Sequence, residues 1–237
     1  MKVLGIDSSG MVASVAVVED DILLAEYTVN YKKTHSQTLL PMLSEIGDMI
    51  SLDLNSLDAI AVAAGPGSFT GLRIGSATAK GLGLALDKPI IPVPTVDGLA
   101  YDLWGTDKIV CPLMDARRNQ VYTGIYEFCN GKLQILEKQM AVAITEIAEK
   151  LNVLGREVIF LGDGVPVYRE MLAEVMKVPY SFAPAHMNRQ RASAVAVLGA
   201  QYYAQGRVES AMEHKPDYLR LSQAERERKE REEQNRA

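Results

Sequence analysis

The chain has 237 residues, 48% hydrophobic and 23% charged, an ordinary globular balance, and a formal net charge of −5 that offers no global basic field to nucleic acid. Its two cysteines, Cys111 and Cys129, form no CxxC pair and read as reduced thiols. No apolar run approaches the roughly 20 residues of a membrane span, and Asp7 comes too soon for a signal peptide, so the expectation is a cytoplasmic protein with no membrane partner.

In chain order, "KVLGID", "VASVAVVED" and "ILLAEYTV" read as a three-stranded antiparallel meander over residues 2–29, with turn chemistry in "SSG" and "EDD". "THSQTLLPMLSEIGDMISL" has apolar residues at helical spacing, and Pro41 suits a helix that begins near Thr38. "LDAIAVAAG" reads as a buried strand, "GLRIGSATAKGLGLAL" as a helix, "PIIPVP" as a strand and "TVDGLAYDLW" as a helix capped by Thr95 or Asp97. Near Gly105 the pattern restarts, with strands "KIVCPLMDAR", "QVYTGIYEF" and "KLQILEKQMAV", a helix at 145–151 and the strand "EVIFLGDG". The helices "VPVYREMLAEVM" and "RASAVAVLGAQYYAQG" follow. Strand-strand-strand-helix-strand-helix thus occurs twice, an α/β duplication in two lobes, 1–104 and 105–220, whose last helix could pack back on the first lobe. Residues 221–237 form a mixed-charge tail that reads as solvated or disordered.

Residues 65–75, "GPGSFTGLRIG", resemble a phosphate loop only superficially. No lysine follows as in GxxxxGK[ST], and Gly65, Gly67 and Gly71 have the wrong last interval for GxGxxG. Instead Gly67, Gly71, Gly75, Ala79 and Gly83 recur every four residues, a slowly drifting stripe of small residues on a helix. Each interior glycine costs roughly 0.5–1 kcal/mol relative to alanine, so close packing on that stripe must offset it. The neighbour is either an element of the same lobe or a partner subunit. On the partner reading, Gly75→Leu blocks association and leaves the fold largely intact. On the preceding helix, Leu39, Leu43, Ile46 and Ile50 share an arc that Leu40, Met42 and Met49 widen to nearly half the circumference. That width fits a deeply buried helix or an adaptable docking surface.

Together "LGIDSS", "HSQTLLPML", "AGPGSFTGLRIG", "MDARRNQVY" and "PDYLR" resemble the bacterial TsaB (YeaZ) family from Met1 to about Arg220. The resemblance implies an actin/Hsp70/sugar-kinase-like (ASKHA) duplicated βββαβα fold. It implies a non-catalytic subunit that binds TsaD, with TsaE docking on the pair. The complex makes N6-threonylcarbamoyladenosine at adenosine 37 of tRNAs reading codons that begin with A, and tRNA is reached only through it. The docking helices carry over onto residues 34–50 and 70–86. The interface expected from them comprises His35, Leu39, Leu40, Met42, Leu43, Ile46, Met49, Phe69, Gly71, Leu72, Ile74, Gly75, Thr78 and Leu82. A homodimer over the same helices is left open for the isolated protein.

Catalytic residues are not expected. TsaD-like metal chemistry resembles an HxxxH site, and His35, His186 and His214 provide no such pair, so no metal is expected. There is no GxSxG elbow. By analogy with ASKHA kinases, a vestigial nucleotide site falls on Asp7, Ser8, Ser9, Asp115, Arg117, Gly162, Asp163 and Gly164. Asp7 could face magnesium through water there, or the turn could be Asx chemistry alone. No intrinsic cofactor is expected, and ATP or ADP at the interface of the complex is left open. Arg117 and Arg118, with Arg189 and Arg191, could meet a tRNA phosphate or an internal carboxylate. The rival reading from another class is an autonomous ASKHA-type small-molecule kinase or ATPase.

Overall fold

The computed structural model describes residues 1–31 and 35–220. Residues 32–34, where the helix expected over 34–50 would begin, and the charged tail at 221–237 lie outside the described residues. The first half runs β1 (Lys2–Asp7), β2 (Val12–Glu19), β3 (Ile22–Asn30), α1 (His35–Met49), β4 (Ala59–Gly65), α2 (Phe69–Leu86), β5 (Ile90–Pro94) and α3 (Thr95–Tyr101). The second half repeats that order: β6 (Ile109–Asp115), β7 (Gln120–Cys129), β8 (Lys132–Ala143), α4 (Ile144–Leu154), β9 (Val158–Leu161), α5 (Val165–Val175), β10 (Tyr180–Phe182) and α6 (Ala192–Ala204). The strand orders are β3-β2-β1-β4-β5 and β8-β7-β6-β9-β10. In each sheet the first three strands are antiparallel and the last two join in parallel. This is the duplicated α/β architecture that the sequence implied, with β5, α3 and α6 falling on segments already read as a strand and two helices, and with β10 as the strand that the sequence did not show. The three-residue β10 is too short to show a sequence period.

Alternation along the strands sets the layers. Leu4 and Ile6 of β1, with Ile60 and Val62 of β4, face α1 and α2. The opposite face carries Val3, Ala59, Ala61 and Ala63 against α6. Small residues on both sides let α6 come close: a Cβ on Gly5 would fall on the Ala192 carbonyl, and one on Gly199 would strike Ala61. The second sheet is built alike, with Ile109, Cys111 and Leu113 against α4 and α5 and with Val110 and Met114 against α3. The halves therefore exchange a helix. The last helix of the second half covers the first sheet, and α3 of the first half packs Val96, Leu99 and Ala100 with residues of the second sheet.

Two polar devices fix this crossing. Asp97 on α3 accepts from Tyr126 on β7 (2.7 Å) and from Tyr202 on α6 (2.8 Å). The start of α6 has no cap of its own, and the first lobe supplies one: Ser14 Oγ accepts from the Ala192 amide (2.8 Å), and Glu26 accepts from Ser193 and pairs with Arg191. No helix of the described residues is long and apolar enough to cross a membrane.

Candidate functional site

The turn after β1 meets the inner face of α2. Ser68 caps α2, accepting from the Gly71 amide (3.3 Å), while its own amide donates to the Ser9 carbonyl (2.7 Å). A Cβ at Gly67 would fall on the Ser9 carbonyl oxygen, one at Gly71 on the Ser8 carbonyl oxygen, and one at Gly75 on Ser8 Oγ. Ser8 Oγ in turn donates to the Gly71 carbonyl (2.9 Å). Gly83 completes the stripe against Ala211 and the Lys88 carbonyl. The small-residue stripe thus packs against the protein's own β1–β2 turn and C-terminal segment. Gly71 and Gly75 are corrected accordingly: they are interior positions, and a leucine at Gly75 attacks the fold before it can reach a partner.

The eight residues of the expected nucleotide set are only partly brought together. Ser9, Asp115, Arg117 and Asp163 line one cleft of about 420 Å³ between the lobes, with the 66–69 loop and Tyr218–Arg220 as further walls. Asp7 does not line it. That carboxylate is 2% exposed, and its Oδ1 accepts from the Ser9 amide (2.8 Å) and Ser9 Oγ (2.7 Å), an Asx turn. Burial pushes its pKa up to about 6 against the opposing Ser9 donors. Ser8 is turned onto α2. Gly162 and Gly164 bring the loop backbone against Leu113, whose carbonyl accepts from the Gly164 amide (2.8 Å).

The charged members of the cleft largely satisfy one another. Asp115 accepts from the Arg117 amide and from Tyr168, and it pairs with the Arg117 guanidinium. Asp163 accepts from the Asp115 amide (3.1 Å), and burial raises its pKa. Arg189 donates to the Gly162 carbonyl and Arg191 pairs with Glu26, so both have internal partners. Among the described residues no group of three His, Cys, Asp or Glu side chains could hold a metal ion.

The C-terminal segment is a wall of this cleft that residue patterns did not reveal. The Asp217 amide donates to the Ala64 carbonyl (2.7 Å), Tyr218 stacks on Phe69 (4.8 Å between centroids), and Arg220 donates to the Ala116 carbonyl (2.6 Å). Gly65, at φ +127°, is glycine because the Asp217 carbonyl lies where a Cβ would stand. "PDYLR" therefore bridges the two lobes.

The residues expected on the docking helices divide. Leu39, Met42, Leu43 and Ile46 on α1 and Leu72 on α2 are buried in the first lobe, which corrects their assignment to an interface. Ile74 and Leu82 pack partly against the same core, Thr78 and Phe69 are half-buried, and His35 Nε2 donates to the Gly10 carbonyl (2.8 Å). Leu40, 54% exposed, and Met49, 81% exposed, point outward. Pro41 lies in the second turn rather than the first, so the Gln37 carbonyl loses its helical donor, and both residues are exposed.

The outer face has its own pattern, which sequence reading passed over. Thr70, Arg73, Ala77, Gly81 and Leu84 follow helical spacing on the exposed side of α2. Beside them on α1 stand Leu40, Ser44 and Gly47, which with Leu82 border a groove of about 490 Å³. A Cβ at Gly47 or Gly81 would meet nothing within 4 Å. The signal was present: Gly81 lies about 160° around the helix from Gly83 and so falls outside the stripe.

A family model described as TsaD, tRNA N6-adenosine threonylcarbamoyltransferase, matches residues 23–228. The tRNA threonylcarbamoyladenosine biosynthesis protein TsaB of Bacillus subtilis is 35% identical over 227 residues, covering 95% of this chain and 96% of that one. Its Escherichia coli counterpart is 30% identical, covering 93% and 95%. Among solved structures, YeaZ from Pseudomonas aeruginosa superposes with a TM-score of 0.76 at 26% identity, over 92% of this chain and 99% of that one. Sequence likeness at this level over nearly the whole length, with the same architecture, fixes the assignment: the chain belongs to the TsaB (YeaZ) family of tRNA threonylcarbamoyladenosine biosynthesis proteins.

Proposed function

We propose that the protein is a non-catalytic subunit of the cytoplasmic complex that makes N6-threonylcarbamoyladenosine in tRNA, and that it acts by docking on a TsaD-family partner through the outer faces of α1 and α2. The observation that carries this reading is the pair of helix glycines, Gly47 and Gly81, with open space beside them and exposed Leu40 and Leu84 alongside. Alanine would be more stable than glycine at either place by roughly 0.5–1 kcal/mol, and nothing inside the chain offsets that. Close approach by another helix does, since small residues let backbones meet. TsaE docks on the resulting pair, and tRNA is reached through the complex rather than by this chain alone.

The rival, an autonomous kinase or ATPase, needs the first turn of each half free for phosphate and metal. In this chain the Ser9 carbonyl and the Asp7 carboxylate are engaged within the first turn and with Ser68, and Asp115 is engaged by Arg117 and Tyr168. That favours the docking subunit. ATP or ADP at the partner interface is compatible with either reading. Co-expression with the TsaD-family protein of the same genome, followed by size exclusion, tests the proposal. Wild type co-elutes, and Leu40→Asp does not while melting normally. ATP turnover by the lone protein with magnesium, or co-elution unaffected by Leu40→Asp, overturns it.

A further inference from the structure

A second groove lies along the edge of α2, where the 212–218 segment runs beside the helix and encloses about 450 Å³. Ala77 borders this groove and also belongs to the outer stripe of α2, so the two surfaces are continuous. Three cations converge on it. Lys80 Nζ donates to the Met212 carbonyl (3.1 Å) and the His214 carbonyl (2.9 Å), which pins the amine at the groove floor. Arg73 lies 4.1 Å over the Phe69 ring and donates to Tyr218 (3.3 Å), which fixes its guanidinium at one end. Lys215 is exposed at the other. The one carboxylate in the groove, Glu213, is engaged by Ser210 Oγ (2.7 Å).

An independent feature marks the same place. His214 lines the groove at 1% exposure, its Nδ1–H donates to Glu209 (3.0 Å), and its Nε2 is sealed in with no hydrogen-bond partner. A buried polar nitrogen without a partner is costly in a finished structure, and the residue that carries it lines the groove.

We propose that this groove receives an acidic segment of the docked partner protein, whose carboxylates pair with Arg73, Lys80 and Lys215 at the margin of the helix–helix contact. The proposal rests on the docking reading above and adds its selectivity. Small apolar residues let helices approach but discriminate poorly between partners, whereas charge complementarity at the edge sets orientation and association rate. Protein fits better than RNA. The three cations line one compartment with an apolar wall of Met212 and Ala77, on a chain whose net charge of −5 gives no extended basic field for a nucleic-acid backbone.

The test is calorimetric titration of the wild type, Lys215→Glu and Arg73→Gln with the TsaD-family partner, at low and high salt, beside thermal melts. Lys215→Glu, a change at an exposed side chain, weakens binding about tenfold at low salt, leaves the melting temperature unchanged, and loses most of its effect at high salt. Arg73→Gln acts in the same direction. Unchanged affinity and salt dependence in Lys215→Glu, with wild-type binding intact and Gly81→Leu defective, overturns the groove and leaves docking standing. If Lys215→Glu instead lowers affinity for unmodified tRNA and leaves the partner's alone, the occupant is RNA and the proposal fails. No wild-type binding to the partner at all removes the docking reading itself.

Discussion

On the inner face of α2, Gly71 and Gly75 have no room for a methyl group, because the Ser8–Ser9 turn runs along the helix. On the outer face of the same helix, Gly81 has nothing within 4 Å of where a methyl would stand. The residue type is identical and the helical cost is identical, yet the chain itself compensates for that cost on one face only. Inside, a backbone carbonyl and a serine hydroxyl approach the helix, and the fold depends on that approach. Outside, the chain supplies nothing, and on the docking proposal a partner does. A glycine in a helix is therefore informative only once its surroundings are known.

The largest effect expected from breaking this contrast is at Gly75. Gly75→Leu drives a branched side chain into Ser8 and lowers stability by about 3 kcal/mol or more, roughly 10 °C in melting temperature for a chain of this size. A melt within a degree or two of wild type would show that the inner face yields and that the contrast is false.

Next comes the turn that the inner face packs on. Burial holds the folded-state pKa of Asp7 near 6 against an ordinary 3.8. Because the folded value is the higher one, ionised Asp7 costs stability above about pH 6, and that cost fades as pH falls toward 4. Asp7→Asn raises stability at neutral pH by on the order of 2 kcal/mol and flattens the dependence between those limits. Denaturant titrations at a series of pH values check this, and an unchanged slope in the variant would sink it.

The outer face is sharpened by the complementary pair. Gly81→Leu leaves melting near wild type but costs partner binding about 2 kcal/mol or more, a thirtyfold loss, as expected of a central contact. Normal co-elution of that variant would remove Gly81 from the interface. Smallest of all, Gly81→Ala raises the lone protein's stability by about 0.5–1 kcal/mol and weakens partner binding severalfold, since the added methyl meets open space in the lone chain, removes backbone freedom from the unfolded chain, and stands where the docking proposal puts the partner's backbone. A drop in stability there would mean the position is internally packed after all.

Much of the fold was legible because strand alternation and helical spacing are local. Leu4 and Ile6 against Val3, or Ile109, Cys111 and Leu113 against Val110 and Met114, declare two-sided strands from sequence alone. The four-residue stripe correctly announced close packing. The site was less legible. Leu39, Leu43 and Ile46 look the same on a helical projection whether they face a core or a partner, and only the sheet beneath α1 distinguishes these. The expected nucleotide set failed in part for a similar reason: "DSSG" and "GDG" name groups able to bind phosphate, while several of the partners those groups take come from far along the chain, as Gly71 does for Ser8 and Asp115 for Asp163.

By itself, then, the sequence determined that the chain is a duplicated α/β protein, that α2 packs closely along one stripe, and that no local phosphate or HxxxH metal motif is present. Those follow from short-range periodicity and motif spacing. Which way each face of α2 looks, which lobe each crossing helix covers, and that Asp217–Arg220 bridges the cleft were decided only by tertiary structure. These depend on contacts between residues far apart in the chain: the Ala116 carbonyl that accepts from Arg220, or the Ser14 hydroxyl that caps α6, carries no mark of its partner in its own neighbourhood.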